Sequence, residues 1–218
     1  MLRATANADA GQFAAAGAEL AAVITAAIDA HHPGAAAVLD WGCGPGRVAV
    51  HLAAARPGWD LQGCDIDGEA TAWCDEHIRR GAYQQTGLMP PLPYPAGSFD
   101  VVIACSVFTH LQRDVQRAWL AEVGRVLRPG GVLAASVHGE PARRTYIPKI
   151  PRILEENGIF DDLTVGHLDG VAPAGYYRIV FQSEAWTRAE WGKYFTVVQY
   201  QESGLAPAHD LVVCVKGG

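Results

Sequence analysis

The stretch VLDWGCGPGRVAV, residues 38–50, places three glycines at alternate positions between two apolar segments. Glycine loses more chain entropy on folding than any other residue, so this density of glycines indicates positive φ angles or a group packed closely against the main chain. The residues before the loop, 37–41, predict a short buried strand, and residues 47–56 after it predict a helix. A bare backbone between a strand and a helix predicts a ligand-binding loop.

The composition fits one domain over residues 1–218. Half of the residues are hydrophobic, which is enough apolar side chain for one sizeable core. The formal net charge is −6, so the chain has no basic field of the kind that draws a protein onto a phosphate backbone. We therefore expect no nucleic-acid partner.

The cysteines and the N-terminal segment bear on the compartment. The five cysteines are Cys43, Cys64, Cys74, Cys105 and Cys214. They form no Cys-x-x-Cys pair and are odd in number, which is typical of reduced, buried thiols in a cytoplasmic protein. The alanine-rich segment 9–30 is interrupted by Glu19 and Asp29, so we expect neither a signal peptide nor a membrane span there.

Strands and helices alternate along the first two thirds of the chain. Predicted strands lie at 37–41, 61–65, 83–86, 99–108 and 132–137. Asp67 is predicted to cap a helix that runs to Arg80, and Asp114 a helix that Arg-Pro-Gly-Gly at 128–131 ends. This alternation predicts a parallel sheet covered by helices on both faces.

The last third of the chain has a different character. Residues 139–175 are predicted to be irregular apart from one short helix near residues 150–157. A strand at 176–181, a helix at 183–195 and two strands at 195–200 and 210–215 are predicted to follow. The loop between the last two strands is too short for a parallel crossover, so these strands should pair antiparallel.

The glycine loop lies where a doubly wound sheet binds its ligand, at the carboxyl ends of the strands. A dinucleotide fingerprint, G-x-G-x-x-G, would require glycine at position 47, which is Arg47. The spacing is instead D-x-G-x-G-x-G, with Asp40 two residues before the first glycine. A nicotinamide-dependent oxidoreductase therefore fits less well, although it remains an alternative.

Four segments in register resemble class I S-adenosylmethionine-dependent methyltransferases. VLDWGCGPGRV is similar to the first motif of that family, and LQGCDID, residues 61–67, resembles its second strand. SFDVVIACSVFTHL, residues 98–111, resembles the fourth strand and its following loop. LAEVGRVLRPGGVLAASVHG, residues 120–139, resembles the next helix, the RPGG turn and the fifth strand. The match covers roughly residues 35–138.

The resemblance implies a fold, a cofactor and a division of the chain. The implied fold is a Rossmann-like, doubly wound and mostly parallel seven-stranded sheet with an antiparallel final strand. Residues 1–34 would form an N-terminal helix, 35–138 the cofactor-binding core, 139–176 an acceptor-side insertion, and 177–218 the closing strands and helix. The implied cofactor-binding residues are Asp40, Trp41, Gly42, Cys43, Gly44, Gly46, Asp65, Ile66, Gly87, Leu88, Cys105 and Ser106.

Two of these assignments have a particular basis. Asp65 would accept hydrogen bonds from both ribose hydroxyls of S-adenosylmethionine. Many relatives carry an acidic residue after the third strand for the adenine amine, but no Asp or Glu lies between Glu76 and Asp100 here. The adenine would then be held by main-chain groups, Gln85 or Thr86, with contacts at Gly87 and Leu88. Leu88 and Ile66 would offer apolar faces.

The implied chemistry is an in-line attack on the sulfonium methyl group, which leaves S-adenosylhomocysteine. Such a reaction gains from fixed alignment in a dry pocket, and a hydroxyl nucleophile also needs a base. His110 and His138 are the candidate bases, although either could serve a structural or cofactor-side role. Tyr176 and Tyr177 are candidates for the acceptor pocket or for an aromatic wall around a cationic amine. Alternatively, Tyr177 only begins a strand.

The residues after the fourth strand constrain the acceptor. Ala104-Cys105-Ser106-Val107 lacks the motifs of DNA amino- and cytosine-methyltransferases, and it offers no carboxylate ligands for a metal. A hydroxyl or amine of a small molecule, sugar or peptide-like natural product remains, with no membrane partner. A non-catalytic S-adenosylmethionine-binding regulatory module is the alternative, and the oligomeric state cannot be deduced.

Overall fold

A computed structural model describes residues 9–148, 156–164 and 170–218. The helices are α1 Ala10–His31, α2 Ala49–Ala55, α3 Gly68–His77, α4 Arg113–Val126, α5 Glu140–Tyr146 and α6 Glu184–Trp191. The strands are β1 Ala37–Trp41, β2 Asp60–Asp65, β3 Ala82–Gln85, β4 Phe99–Ala104, β5 Leu127–Val137, β6 Ile159–Thr164, β7 Arg178–Gln182, β8 Thr196–Ala206 and β9 His209–Val215.

Seven strands form one mixed sheet in the order β3-β2-β1-β4-β5-β9-β8. The strands β1 to β5 are parallel, and β9 pairs antiparallel with both β5 and β8. The predicted Rossmann-like sheet and its antiparallel closing strand are confirmed. The strand order reverses at β1, which has β2 on one side and β4 on the other, so the loops after these strands surround the expected ligand crevice.

The hydrophobic core has two layers, one on each face of the sheet. Val38, Val101 and Val132 belong to the layer beneath α1, α2 and α3. Their neighbours in sequence, Leu39 and Val102, belong to the layer beneath α4 and α6. Strands that are buried on both faces explain why the strand segments read as continuous apolar runs.

The N-terminal helix α1 covers one face of the sheet. Among the described residues it is the one helix that is long and apolar enough, by length and composition, to cross a membrane. Its side chains Leu20, Ile24 and Ile28 are buried in the layer that also contains Val38 and Leu52. This packing is what we expect of a helix that covers a sheet.

The glycine loop has the predicted backbone. The φ angles of Gly42, Gly44 and Gly46 are +77°, +49° and +76°, in the left-handed region that favours glycine. A Cβ atom on Gly42 would lie 2.3 Å from Val107 Cγ2, and one on Gly46 would lie 2.6 Å from Ile78 Cδ1. Both the conformation and the close approach therefore require glycine.

Several predicted helix and strand limits need correction. Asp67 caps α3 as predicted, with its carboxylate accepting from the N–H groups of Glu69 and Ala70, but α3 ends at His77 rather than Arg80. Asp114 does not cap α4. It lies inside the first turn, where its carboxylate accepts from Arg117 at 2.9 Å. The segment 128–131 lies within β5, which begins at Leu127.

The segment 139–175 is more regular than predicted. It contains α5 and β6, and β6 pairs antiparallel with β7 in a separate two-stranded sheet. Most of the helix predicted near residues 150–157 lies outside the described residues. The strand β7 begins at Arg178, so Tyr176 and Tyr177 precede it. The acidic side chains of Asp161 and Asp162 concealed β6, and the Asp161 carboxylate binds Arg113 at the start of α4.

Candidate functional site

A cavity of about 320 Å³ opens at the carboxyl ends of β1, β2 and β4. Eight of the twelve residues predicted to bind the cofactor line it: Trp41, Gly42, Cys43, Gly44, Asp65, Ile66, Cys105 and Ser106. Asp40, Gly46, Gly87 and Leu88 lie outside the lining. Gly46 packs instead against Ile78 and Cys74, where it lets α3 approach the loop.

Asp65 is fixed beside the glycine loop by two main-chain hydrogen bonds. Its Oδ2 accepts from the N–H of Gly44 at 2.8 Å, and its Oδ1 accepts from the N–H of Asp67 at 2.9 Å. Burial raises the pKa of this carboxyl group, while the two N–H groups oppose that shift. Each carboxylate oxygen has a further lone pair, so the group can still accept hydrogen bonds from a ligand.

Asp40 lies at the end of β1 with 2% of its surface exposed, and its Oδ2 has no hydrogen-bond partner. Burial, followed by the negative charge of Asp65, raises the pKa of this carboxyl group to about 7, while the charge of Arg47 lowers it. A buried acceptor with no partner is costly. Keeping this buried carboxyl group ionised therefore costs the folded protein stability.

Thr86 is the side chain that the structure brings to the cavity from the segment after β3. Its Oγ1 is buried and has no partner, and its N–H donates to the Asp65 carbonyl at 2.8 Å. Gln85 donates to the Ile66 carbonyl instead. Gly87 and Leu88 do not line the cavity, and the Leu88 carbonyl accepts a hydrogen bond from the hydroxyl of Tyr176, which does line it.

These observations fit the cofactor that the sequence implies. The bare main chain at Gly44 has only Asp65 Oδ2 near the position of a Cβ atom, at 4.0 Å. Two unpartnered oxygens, on Asp40 and Thr86, lie at or beside the same cavity. A ligand with a sugar, a base and a charged end would satisfy such a set of groups.

His110 lines the cavity from the short 3₁₀ turn Phe108–His110 after β4. Its Nδ1 lies 2.7 Å from the Arg178 carbonyl oxygen, which can only accept, so we assign the ring proton to Nδ1. Its Nε2 is then an acceptor, and the Tyr177 hydroxyl donates to it at 2.8 Å. Burial raises the pKa of Tyr177, which keeps that hydroxyl protonated.

His138 lies behind the cavity rather than in its wall. Its ring packs beside His209 and Phe181, with centroids 4.9 and 5.5 Å away, and it is 8% exposed. Its Nδ1 has no partner, and burial lowers its pKa to about 4. His138 follows β5 and forms an isolated bridge with Phe181 of β7, so β7 lies against its ring. The structure therefore brings His110, and not His138, to the predicted acceptor side.

Ser106 has a φ of +61°, which is uncommon for a residue other than glycine. Its N–H donates to the buried Ser136 hydroxyl oxygen at 2.8 Å, and its own hydroxyl lies 3.4 Å from His110 Nε2. Strained residues of this kind cluster at functional sites. Burial raises the pKa of the neighbouring Cys105 thiol to about 11, which disfavours the reactive thiolate form.

Several lining residues escaped the sequence reasoning. Arg47, Glu69, Trp73 and Trp119 also face the cavity. Arg47 argues against a dinucleotide site because it stands where that motif needs glycine. A cation directly after a glycine loop could also have indicated an anionic ligand. Within the described part of the chain, no three His, Cys, Asp or Glu side chains are grouped so that they could hold a metal ion.

Known proteins match the part of the chain that carries this site. Residues 38–131 match a family model described as a methyltransferase domain. The chain is 31% identical over 132 residues to an uncharacterized methyltransferase from Synechocystis, a match that spans 60% of this chain and 59% of the relative. It is 33% identical over 120 residues to a ribosomal RNA small subunit methyltransferase C from Alcanivorax borkumensis, which spans 53% of this chain and 36% of the relative.

The solved structures share the fold over most of this chain. One is the 1,6-didemethyltoxoflavin N1-methyltransferase from Burkholderia thailandensis, with a TM-score of 0.67, 18% identity and coverage of 96% of this chain and 82% of that one. Another is a protein from Pyrococcus horikoshii, with a TM-score of 0.65, 17% identity and coverage of 89% and 88%. By contrast, the chain spans only 36% to 59% of the two curated relatives.

Proposed function

We propose that the chain is a class I S-adenosylmethionine-dependent methyltransferase and that it moves the methyl group of S-adenosylmethionine to a hydroxyl or amine of a small molecule, sugar or peptide-like natural product. One observation carries the proposal. The same cavity is lined by the glycine loop with Asp65 and by the hydrogen-bonded pair of His110 and Tyr177. A cofactor site and an acid–base pair thus share one interior.

The cofactor side of the cavity would bind and orient S-adenosylmethionine. Gly44 lets the main chain approach the ligand, Asp65 accepts from the ribose hydroxyls, and Thr86 offers its unpartnered oxygen near the base. When bound, S-adenosylmethionine supplies a methyl group on a positively charged sulfur, and S-adenosylhomocysteine is the product. Trp41, Ile66 and Val107 make the cavity apolar and exclude water.

The acceptor side can take a proton. Tyr177 donates to His110 Nε2, and its oxygen has lone pairs that can accept a hydrogen bond from an acceptor hydroxyl. As that hydroxyl loses its proton to the Tyr177 oxygen, the Tyr177 proton moves to Nε2. The imidazolium that forms remains held by the Arg178 carbonyl. A neutral amine would need only the positioning that these rings provide.

Two features support a small acceptor. The heterocycle methyltransferase from Burkholderia shares the fold over most of this chain, and the net charge of −6 disfavours a nucleic acid. The ribosomal RNA relative makes RNA the rival acceptor. We also propose a cytoplasmic location and a role in natural-product biosynthesis. The five free cysteines support the location, and four of them are buried.

Calorimetry with S-adenosylmethionine, S-adenosylhomocysteine and NADH tests the cofactor. We expect the first two to bind and NADH not to bind. Transfer of a labelled methyl group to phenols, amines, sugars, peptides and ribosomal RNA then tests the acceptor. Label in RNA alone would overturn the small-molecule proposal. Tight cofactor binding without transfer to any class would favour the regulatory module.

A further inference from the structure

Tyr176 joins two walls of the cavity that are far apart in sequence. Its hydroxyl group donates a hydrogen bond to the carbonyl oxygen of Leu88, 88 residues away. Leu88 belongs to the segment after β3 that brings Thr86 to the cavity, and Tyr176 lines the cavity from the approach to β7. This hydrogen bond therefore ties the cofactor side of the cavity to its acceptor side.

Open space lies beside the Tyr176 ring, outside the main cavity. A second cavity of about 60 Å³ is lined by Leu111, Gln112, Val115, Gly175, Tyr176 and Arg178. Tyr176 and Leu111 line both cavities, so these two side chains form the partition between them. The ring of Tyr176 therefore has room to move away from the main cavity.

The backbone around Tyr176 suits a movement of this one side chain. Gly175, directly before it, has φ +82°, and no described atom lies within 4 Å of the position of a Cβ atom there. On the other side, the Tyr177 hydroxyl and the Arg178 carbonyl lie 2.8 and 2.7 Å from the two ring nitrogens of His110. Tyr176 thus lies between a permissive glycine and a pair of anchored residues.

We propose that Tyr176 is a latch that closes the cavity over the cofactor, and that its hydrogen bond to Leu88 breaks whenever a ligand enters or leaves. This inference rests on the proposed function, because S-adenosylmethionine and S-adenosylhomocysteine are the ligands whose passage the latch controls. Elements that close over a site set the rates of ligand entry and release in many enzymes.

A latch has a kinetic signature that a ligand contact does not have. Its hydrogen bond joins two groups of the protein, so it forms both with and without the ligand. Loss of that bond favours the open state equally in the free and the bound protein, and it should speed entry and exit by the same factor. The Kd should then stay unchanged. Loss of a contact to the ligand would instead speed exit alone and weaken binding.

Stopped-flow fluorescence of the tryptophans that line the cavity measures both rates for S-adenosylhomocysteine. We expect Tyr176→Phe, which keeps the ring and loses the hydroxyl group, to raise the association and dissociation rates about 3- to 10-fold, the effect of one hydrogen bond. The Kd should stay within about twofold of wild type. Tyr146→Phe removes an exposed hydroxyl group outside the described lining of the cavity, and it should change neither rate.

Val115→Phe tests the latch in the opposite direction. Val115 lines the second cavity but is not among the described residues of the main one, so a larger side chain there would occupy the space into which the Tyr176 ring moves. Both rates should fall about equally, again with little change in Kd. Circular dichroism of each variant checks that it is folded.

The outcomes separate the latch from the proposed function. Rates equal to those of wild type in both Tyr176→Phe and Val115→Phe would overturn the latch. Faster dissociation with an unchanged association rate in Tyr176→Phe would also overturn it, because the hydroxyl group would then be a contact of the bound ligand. Failure of the wild type to bind S-adenosylhomocysteine would instead overturn the proposed function, on which the latch rests.

Discussion

The hydroxyl oxygen of Tyr177 lies 2.8 Å from Nε2 of His110, and the two rings stack with their centroids 4.0 Å apart. The pair joins two segments that are 67 residues apart in sequence, the turn after β4 and the approach to β7. Because the Arg178 carbonyl fixes the opposite ring nitrogen, His110 has one tautomer and one orientation. The acceptor therefore meets a proton-accepting pair that is already positioned.

If the acceptor is a hydroxyl, His110→Gln should lower turnover by roughly 10²- to 10⁴-fold, the usual contribution of a general base. Tyr177→Phe should lower it as well, because the proton then has no hydroxyl through which to pass. Calorimetry should show nearly unchanged cofactor affinity. His138→Gln is the matched control, since His138 lies behind the cavity. Turnover above about a tenth of wild type in both His110→Gln and Tyr177→Phe would end the proton-transfer mechanism.

Asp65→Ala should weaken S-adenosylmethionine binding by about 1.5 to 3 kcal/mol for each hydrogen bond lost to the charged group. The protein should remain folded, because the two N–H groups that donate hydrogen bonds to Asp65 lie at the cavity. Water can replace the carboxylate there. Asp60→Ala, at the exposed start of the same strand, should leave affinity unchanged. Equal affinities for Asp65→Ala and wild type would remove Asp65 from the cofactor site.

Gly44→Val should abolish cofactor binding by filling the approach to the main chain. A side chain at φ +49° also strains the backbone, by about 1 kcal/mol. Gly130→Val is a matched control, because Gly130 has φ +77° with nothing within 4 Å of a Cβ atom, so it carries similar strain far from the cavity. Both variants should lose similar stability in chemical unfolding, and only Gly44→Val should lose the ligand.

The glycine loop and Asp65 could be predicted because local patterns determine them. Alternating glycines directly after a buried strand predict positive φ angles. An aspartate at the end of a parallel strand lies at the carboxyl end of the sheet, where ligands bind. The strand β6 could not be predicted, since its acidic residues have distant partners: Asp161 binds Arg113, 48 residues away, and Asp162 pairs with Arg178. Asp114 has the chemistry of a cap, but Gln112 is the N-cap and α4 begins at Arg113, two residues earlier than a cap at Asp114 would place it. The Arg113 N–H donates to the distant Asp161 carboxylate.

The positions of the histidines show the same limit. Both His110 and His138 follow strands whose carboxyl ends border the crevice. The sequence alone therefore cannot distinguish which of the two lines the cavity. Which of them faces the ligand depends on β7, which pairs with His138 through an isolated bridge at Phe181 and covers its ring. That contact joins residues from two sheets, and no local pattern encodes it.

His138 and His209 should make the protein sensitive to acid. Burial lowers their pKa values to about 4 and about 3, with the charges of His138 and Arg47 adding to the shift of His209. The unfolded chain binds protons at these residues below about pH 6.5, whereas the folded chain does not. The contribution of these two residues to the free energy of unfolding should therefore be fully present above pH 6.5 and be lost as the pH drops toward 4.

Thermal unfolding between pH 4 and 7 measures this effect. His209→Asn keeps an acceptor for the Ser136 hydroxyl and removes one titrating group, so the melting temperature should fall less steeply with acid than in wild type. His77→Asn removes an exposed histidine and should leave the slope unchanged. Parallel curves for wild type and His209→Asn would mean that the ring is not buried in its neutral form.

The buried Asp40 carboxyl group should lower the stability of the protein at neutral and higher pH. A folded pKa above the unfolded value of about 3.8 means that the folded chain holds a proton that the unfolded chain releases, so the contribution to stability is lost as the pH rises from about 4 through 7. At pH 8, Asp40→Asn should raise the free energy of unfolding by about 2 to 4 kcal/mol. Urea unfolding of wild type and Asp40→Asn at pH 5 and pH 8 measures this difference. Asp65 is present in both proteins, so its own titration does not contribute to the difference between them. An Asp40→Asn variant that is less stable than wild type at pH 8 would show that the charged carboxylate stabilises the fold, and it would overturn this prediction.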